Sequence, residues 1–189
     1  MELGGKNTMV VYPDADPVKM GVGVTVGMNF TSTSGQSCMS NSRVFLHEDI
    51  YDAVLAEILK RVRALKCGDP RDPATQIGAM ASREQYRKVL GYIELAKQAG
   101  ARVACGGGPP ADQALANGLF VEPTVLVDVT QDMRVAQEEI FGPVMSVLRW
   151  RDEATMLEQV MSVTCDPVSL IECRLPSRLG HSGQLNRSA

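Results

Sequence analysis

The sequence predicts an α/β protein built on a largely parallel sheet. Two observations lead there. Short β-branched runs alternate along the chain with longer stretches whose apolar residues recur at helical spacing. Strong punctuators stand between them: Asp14-Ala15-Asp16-Pro17, Cys67-Gly68-Asp69-Pro70 and Gly106-Gly107-Gly108-Pro109-Pro110. The chain has 189 residues, 44% of them apolar and 22% charged, which suffices for one domain with a sizeable core. No internal repeat interrupts the pattern.

The elements follow in order. Residues 8 to 12 are short, apolar and β-branched, and read as a strand. Asp16 before Pro17 is a helix start, and that helix is expected to run to about Phe30. Its glycines, Gly21, Gly23 and Gly27, weaken it in isolation but suit close packing against a neighbour. Residues 43 to 47 read as the next strand. Asp49 is the expected cap of a second helix carrying Ile50, Val54, Ile58, Leu59, Val62 and Leu65 on one face. Ser82 and Gln85 form a capping-box pattern at the head of a third helix, which Gly100 ends. Residues 102 to 105 and 144 to 148 read as strands. Residues 119 to 129 form an extended apolar run broken at Pro123, and a polar helix is expected from about residue 152 to 161. From about residue 164 both periods are lost, and residues 164 to 189 are expected to be an irregular, disordered tail.

Composition excludes several functions. The net charge of −3 gives no electrostatic footprint for nucleic acid. No apolar run spans a membrane, and the first residues lack a signal-peptide pattern. Five cysteines, an odd number at wide spacings, make neither a disulfide framework nor a zinc knuckle, and a reducing cytoplasm fits them best. Two histidines make no metal site. His47 is expected at the surface, at the end of its strand.

One stretch points to chemistry. Thr31-Ser32-Thr33-Ser34-Gly35-Gln36-Ser37-Cys38 is a small, polar, glycine-bearing turn that ends in a cysteine directly before a hydrophobic strand. A thiol so placed can lie near backbone N–H groups, which favour the nucleophilic thiolate. The bland alternative is a small buried side chain. Glu2, before the glycine pair Gly4-Gly5, is by itself only a weak signal.

Three blocks decide between these readings: Glu2-Leu3-Gly4-Gly5-Lys6, Gly35-Gln36-Ser37-Cys38 and Glu138-Glu139-Ile140-Phe141-Gly142-Pro143. Shorter stretches accompany them, among them Leu90-Gly91-Tyr92-Ile93 and Glu122-Pro123-Thr124-Val125. In this order they resemble the aldehyde dehydrogenases, over about residues 1 to 163. The resemblance implies a three-layer open sheet and NAD- or NADP-dependent oxidation of an aldehyde to an acid. Cys38 matches the nucleophile that forms a thiohemiacetal and then a thioester, with its own backbone N–H as an oxyanion donor. Glu2 matches the base that activates water. Glu139 matches the residue holding the nicotinamide ribose, Phe141 packs near that ring, and Gly4 lets the backbone pass close to it.

Family members are longer. A Rossmann-like cofactor domain precedes this part, and further strands and an oligomerisation strand follow it. The resemblance therefore implies an incomplete catalytic domain, residues 1–163, with an unpaired sheet edge, exposed apolar faces and weak cofactor binding. The asparagine that gives the second oxyanion donor is missing. Met1 reads as a candidate internal start, and the tail as the product of a shifted frame or altered splice. Family members are homo-oligomers. Two other functions compete with a dehydrogenase acting on a small aldehyde: a cofactor-free thiol esterase using Cys38 and Glu2, and a non-enzymatic product that associates with full-length subunits.

Overall fold

A computed structural model describes residues 4–163 and 170–173. Six strands form one sheet: β1 Thr8–Val11, β2 Arg43–His47, β3 Arg102–Cys105, β4 Thr124–Val127, β5 Val144–Trp150 and β6 Leu170–Cys173. Their spatial order is β3-β4-β5-β2-β1-β6. Every pairing is parallel except that of β3 with β4. Parallel neighbours need crossovers, and the helices α1 Pro17–Gly27, α3 Tyr51–Arg63, α4 Arg83–Gln98, α5 Arg134–Gln137 and α6 Glu153–Met161 lie in them.

The strands bury both faces, so they read as continuous apolar runs. Alternate residues feed two cores. Met9, Val11, Val44, Leu46, Val125 and Val147 pack with Val24 of α1 and with Val54, Ile58 and Val62 of α3. Val10, Phe45, Leu126 and Leu148 pack with Val89 and Ile93 of α4 and with Met156 and Val160 of α6. The result is three layers, helix–sheet–helix, as expected.

The sequence misplaces several boundaries. The first helix stops at Gly27 rather than Phe30, because Asn29 turns left-handed at φ 58°. Asparagine tolerates that conformation better than most residues. A short helix, α2 Phe30–Thr33, follows. Asp49 does not cap the second helix. The His47 Nδ1 accepts the Asp49 N–H at 3.2 Å and caps a 3-10 turn, Glu48–Ile50, ahead of α3. His47 is also not a surface residue. Its side chain is only 12% exposed and meets the Trp150 ring edge-on at 4.6 Å. In the stretch expected to be irregular, Leu170–Cys173 pairs with β1, so β1 is not a sheet edge. The remainder of 164–189 lies outside the described residues.

Two of the three α1 glycines make the expected close approaches. A Cβ on Gly21 would stand 2.6 Å from the Glu57 Cβ, and one on Gly27 would stand 2.8 Å from the Asn41 Nδ2. Gly23 faces open space. The other flank of α1 leaves Val18, Val22 and Val26 exposed, in line with the expected open apolar face.

Candidate active site

The strand order builds the site. β5, β2 and β1 lie side by side and run parallel, so their amino ends lie together. The loops entering them carry the three sequence blocks: residues 4 to 7 before β1, 34 to 42 before β2, and 138 to 143 before β5. Segments more than 100 residues apart are thus set next to one another.

The contacts between them are specific. The Gly5 N–H donates to Glu139 Oε1 at 3.0 Å. Gly4 sits at φ +78°, and a Cβ there would come within 3.0 Å of Glu139 Oε2. Only glycine leaves bare backbone under that carboxylate. Gly35 sits at φ +68°, and a Cβ there would stand 2.4 Å from the Gly142 carbonyl oxygen. The cysteine turn therefore rests on the Gly142-Pro143 backbone. The fully buried Asn7 donates its side-chain N–H to the Cys38 carbonyl oxygen.

The turn around Cys38 is also held from outside. Ser34, left-handed at φ 53°, ends α2. Its hydroxyl accepts the Gly78 N–H at 3.0 Å, and Gln36 Oε1 accepts the Ala81 N–H at 2.8 Å. Cys38 itself is half-buried, as the sequence leads one to expect of a reachable thiol. Burial, with the nearby Glu122 carboxylate adding to it, pushes the Cys67 thiol up to about 11. Burial also raises Cys105.

The paired glutamates divide their work. Glu138 accepts from Arg134 Nε and Nη2, both at 2.7 Å, and from the Tyr92 hydroxyl at 2.5 Å. Arg134 foremost, then Tyr92, holds its carboxyl at about 2, well below the usual glutamate range. Glu138 is an anchor, whereas Glu139 is half-buried and faces the glycines. Phe141 is half-buried in a left-handed conformation at φ 57°, which a phenylalanine adopts only under constraint. That constraint includes the Gln85 Nε2, which donates to the Ile140 and Phe141 carbonyls at 2.8 and 2.7 Å.

The loops that hold Cys38, Glu139, Phe141 and Gly4 thus lie at the amino ends of three neighbouring strands. Glu2 lies outside the described residues. Sequence reasoning missed Asn7, Gln85 and Arg43. Gln85 was legible only as half of a capping box. Ser82 does cap α4 by accepting the Gln85 N–H at 3.1 Å, but the glutamine side chain turns away to the 140–141 loop. A polar residue inside an apolar strand start, as at Arg43, was the signal left unused.

The fold is a three-layer α/β domain in which a cysteine turn and a glycine-lined carboxylate stand on loops entering neighbouring parallel strands. Residues 1–164 match the aldehyde dehydrogenase family, and the chain belongs to that family. It is 49% identical over 166 residues to aldehyde dehydrogenase tropH of Talaromyces stipitatus, covering 86% of this chain and 32% of that protein. It is 48% identical over 153 residues to a betaine aldehyde dehydrogenase of Brucella anthropi, covering 81% and 31%. Among solved structures, an NAD-dependent aldehyde dehydrogenase from Sinorhizobium meliloti aligns with a TM-score of 0.79 at 36% identity, over 86% of this chain and 31% of that one. The NAD+ complex of a Bacillus cereus aldehyde dehydrogenase aligns with a TM-score of 0.76 at 35% identity, over 85% and 32%. The chain spans about a third of the length of these relatives.

Proposed function

We propose that this chain carries the catalytic part of an NAD(P)-dependent aldehyde dehydrogenase acting on a small aldehyde. The carrying observation is the convergence of three distant blocks on one site: Gly5 on Glu139, Gly35 on Gly142, and Asn7 on Cys38. The Cys38 thiolate adds to the aldehyde carbonyl, and its backbone N–H receives the oxyanion. NAD or NADP, when bound, would supply the hydride acceptor that the oxidation of this adduct to a thioester requires. Glu2 then deprotonates the water that releases the acid and restores the thiol. Glu139 offers its carboxylate to ribose hydroxyls beside the bare backbone of Gly4. Phe141 packs at the same edge. The free thiols Cys38, Cys67 and Cys105 suit a reducing compartment such as the cytoplasm.

The test is reduction of NAD+, followed by absorbance, with simple aldehydes and betaine aldehyde as substrates. Cys38→Ala is expected to abolish it. Mass mapping after iodoacetamide at pH 8 is expected to label Cys38 and to spare Cys67, whose raised thiol carries little thiolate there. Turnover that survives Cys38→Ala overturns the assignment.

A further inference from the structure

The peptide that follows Cys38 is held at both of its polar atoms by side chains. Its carbonyl, that of Cys38, accepts from Asn7 Nδ2, and its N–H, that of Met39, donates to Ser37 Oγ at 3.1 Å. The peptide before Cys38 is held through the Ser37 carbonyl, which accepts the Ser40 N–H at 3.1 Å. A peptide is planar, so pinning the Ser37 carbonyl also aims the Cys38 N–H, which points the opposite way in the same plane. The two bonds to Ser37 lie within the turn. The Asn7 bond reaches the turn across 31 positions and joins it to the entry of β1. Asn7 is fully buried and stands on a backbone that is itself tied down. Its own carbonyl accepts the Arg43 N–H at 3.2 Å, and the Lys6 carbonyl before it accepts from Arg43 Nε and Nη2 at 3.2 and 2.9 Å.

Burying a side-chain amide is unfavourable unless it is hydrogen-bonded, and Asn7 commits an N–H to the Cys38 carbonyl. We propose that Asn7 and Ser37 are positioning residues: they clamp the Cys38–Met39 peptide, and so keep the Cys38 thiol and its backbone N–H in the one geometry that receives an oxyanion. This inference rests on the assignment of Cys38 as nucleophile. A donor stabilises an oxyanion fully only when it is already aimed at the place where the charge develops. Without the clamp the peptide can rotate about the single bonds that flank it. The Cys38 Sγ and N–H then lose their fixed relation to each other and to the strand entry. The clamp therefore matters for addition to a carbonyl, and not for the reactivity of the thiol in general.

The test sets two reactions of the same thiol against each other in the full 189-residue chain, and neither needs a cofactor. With p-nitrophenyl acetate, the Cys38 thiolate adds to the carbonyl carbon and an oxyanion forms. Its collapse breaks the C–O bond, p-nitrophenolate leaves and acetyl-Cys38 remains. With iodoacetamide, the S–C bond forms as the C–I bond breaks, iodide leaves, and no oxyanion arises. Both reactions use the thiolate, so the ratio of their rates does not depend on how far the thiol is ionised. In Asn7→Ala, acetylation of Cys38, followed by the p-nitrophenolate burst and by mass mapping, is expected to slow about tenfold or more, while alkylation keeps the parental rate. Ser37→Ala, at a half-buried position, is expected to shift the ratio in the same direction. A merely structural role slows both reactions together. An unchanged ratio in either variant overturns the proposal, whether both rates fall equally or neither falls. Where Asn7→Ala does not fold, Ser37→Ala decides alone by the same criterion. A parent chain that iodoacetamide labels at Cys38 but that the ester does not acetylate there overturns the assignment of Cys38, and this inference falls with it.

Discussion

At the residue scale, the site depends on positions where a side chain has no room or no choice. Gly35 is left-handed and lies against the Gly142 carbonyl. Gly35→Ala is expected to cost about 1–2 kcal/mol from conformation alone and more from the clash, read as a lower urea midpoint. It is expected to slow Cys38 alkylation as the turn lifts away. The glutamates give a pH prediction. The folded Glu138 carboxyl titrates at about 2 against an ordinary 4.5. A depressed carboxyl contributes stability that is fully present above the unfolded value. Its contribution is therefore intact above pH 4.5 and is lost as pH falls from there toward 2. Arg134→Gln is expected to flatten acid unfolding in that window, while the Tyr92 hydroxyl still donates to the carboxylate. An acid limb unchanged by Arg134→Gln would refute the assignment.

At the element scale, helix α1 offers a matched pair. Alanine is a better helix former than glycine by about 0.5–1 kcal/mol. Gly23 has open space around it, so Gly23→Ala is expected to raise the melting temperature. At Gly21 the new Cβ would meet the Glu57 Cβ at 2.6 Å, so Gly21→Ala is expected to lower it as α1 is pushed from α3. Thermal unfolding of the two variants decides, and the same sign for both would refute the packing argument. Helix α4 reaches the 138–143 loop through Gln85 and Tyr92. Gln85→Ala strips the donor from the Ile140 and Phe141 carbonyls and is expected to cost about 1–3 kcal/mol. Because Glu139 stands next to that loop, the same variant is expected to weaken NAD+ binding in a fluorescence titration. Unaltered affinity would detach Gln85 from the site.

At the scale of the whole molecule, the sheet order decides what meets what. β2 lies between β5 and β1, with helices over both faces, whereas β3 is an antiparallel strand at the end with its first residue exposed. Hydrogen exchange is expected to be slowest in β2 and β5 and fastest in β3. Much of this was legible beforehand. The alternation of strand and helix periods gave the class, since a parallel sheet requires crossovers. The Asp16-Pro17 start of α1 and the Ser82 cap of α4 were readable because capping uses a side chain within three residues of its target. Cys38, Glu139, Phe141 and Gly4 were singled out because the blocks that hold them resemble the family. Signals that depend on distant partners were silent. The His47 cap is a short-range bond that needs a ring held by Trp150. The bonds of Gln85 to residues 140 and 141, and of Arg43 to Lys6 and α6, span from 37 to 117 positions. By itself the sequence determined which residues carry reactive groups and which local turns expose them, because those depend on chemistry and on neighbours a few residues away. Only the tertiary structure decided that Glu139 faces Gly5, 134 positions away, and that Arg43 ties the Lys6 peptide to α6. Those outcomes depend on which strand ends lie side by side, and that is set by burying both faces of the sheet at once.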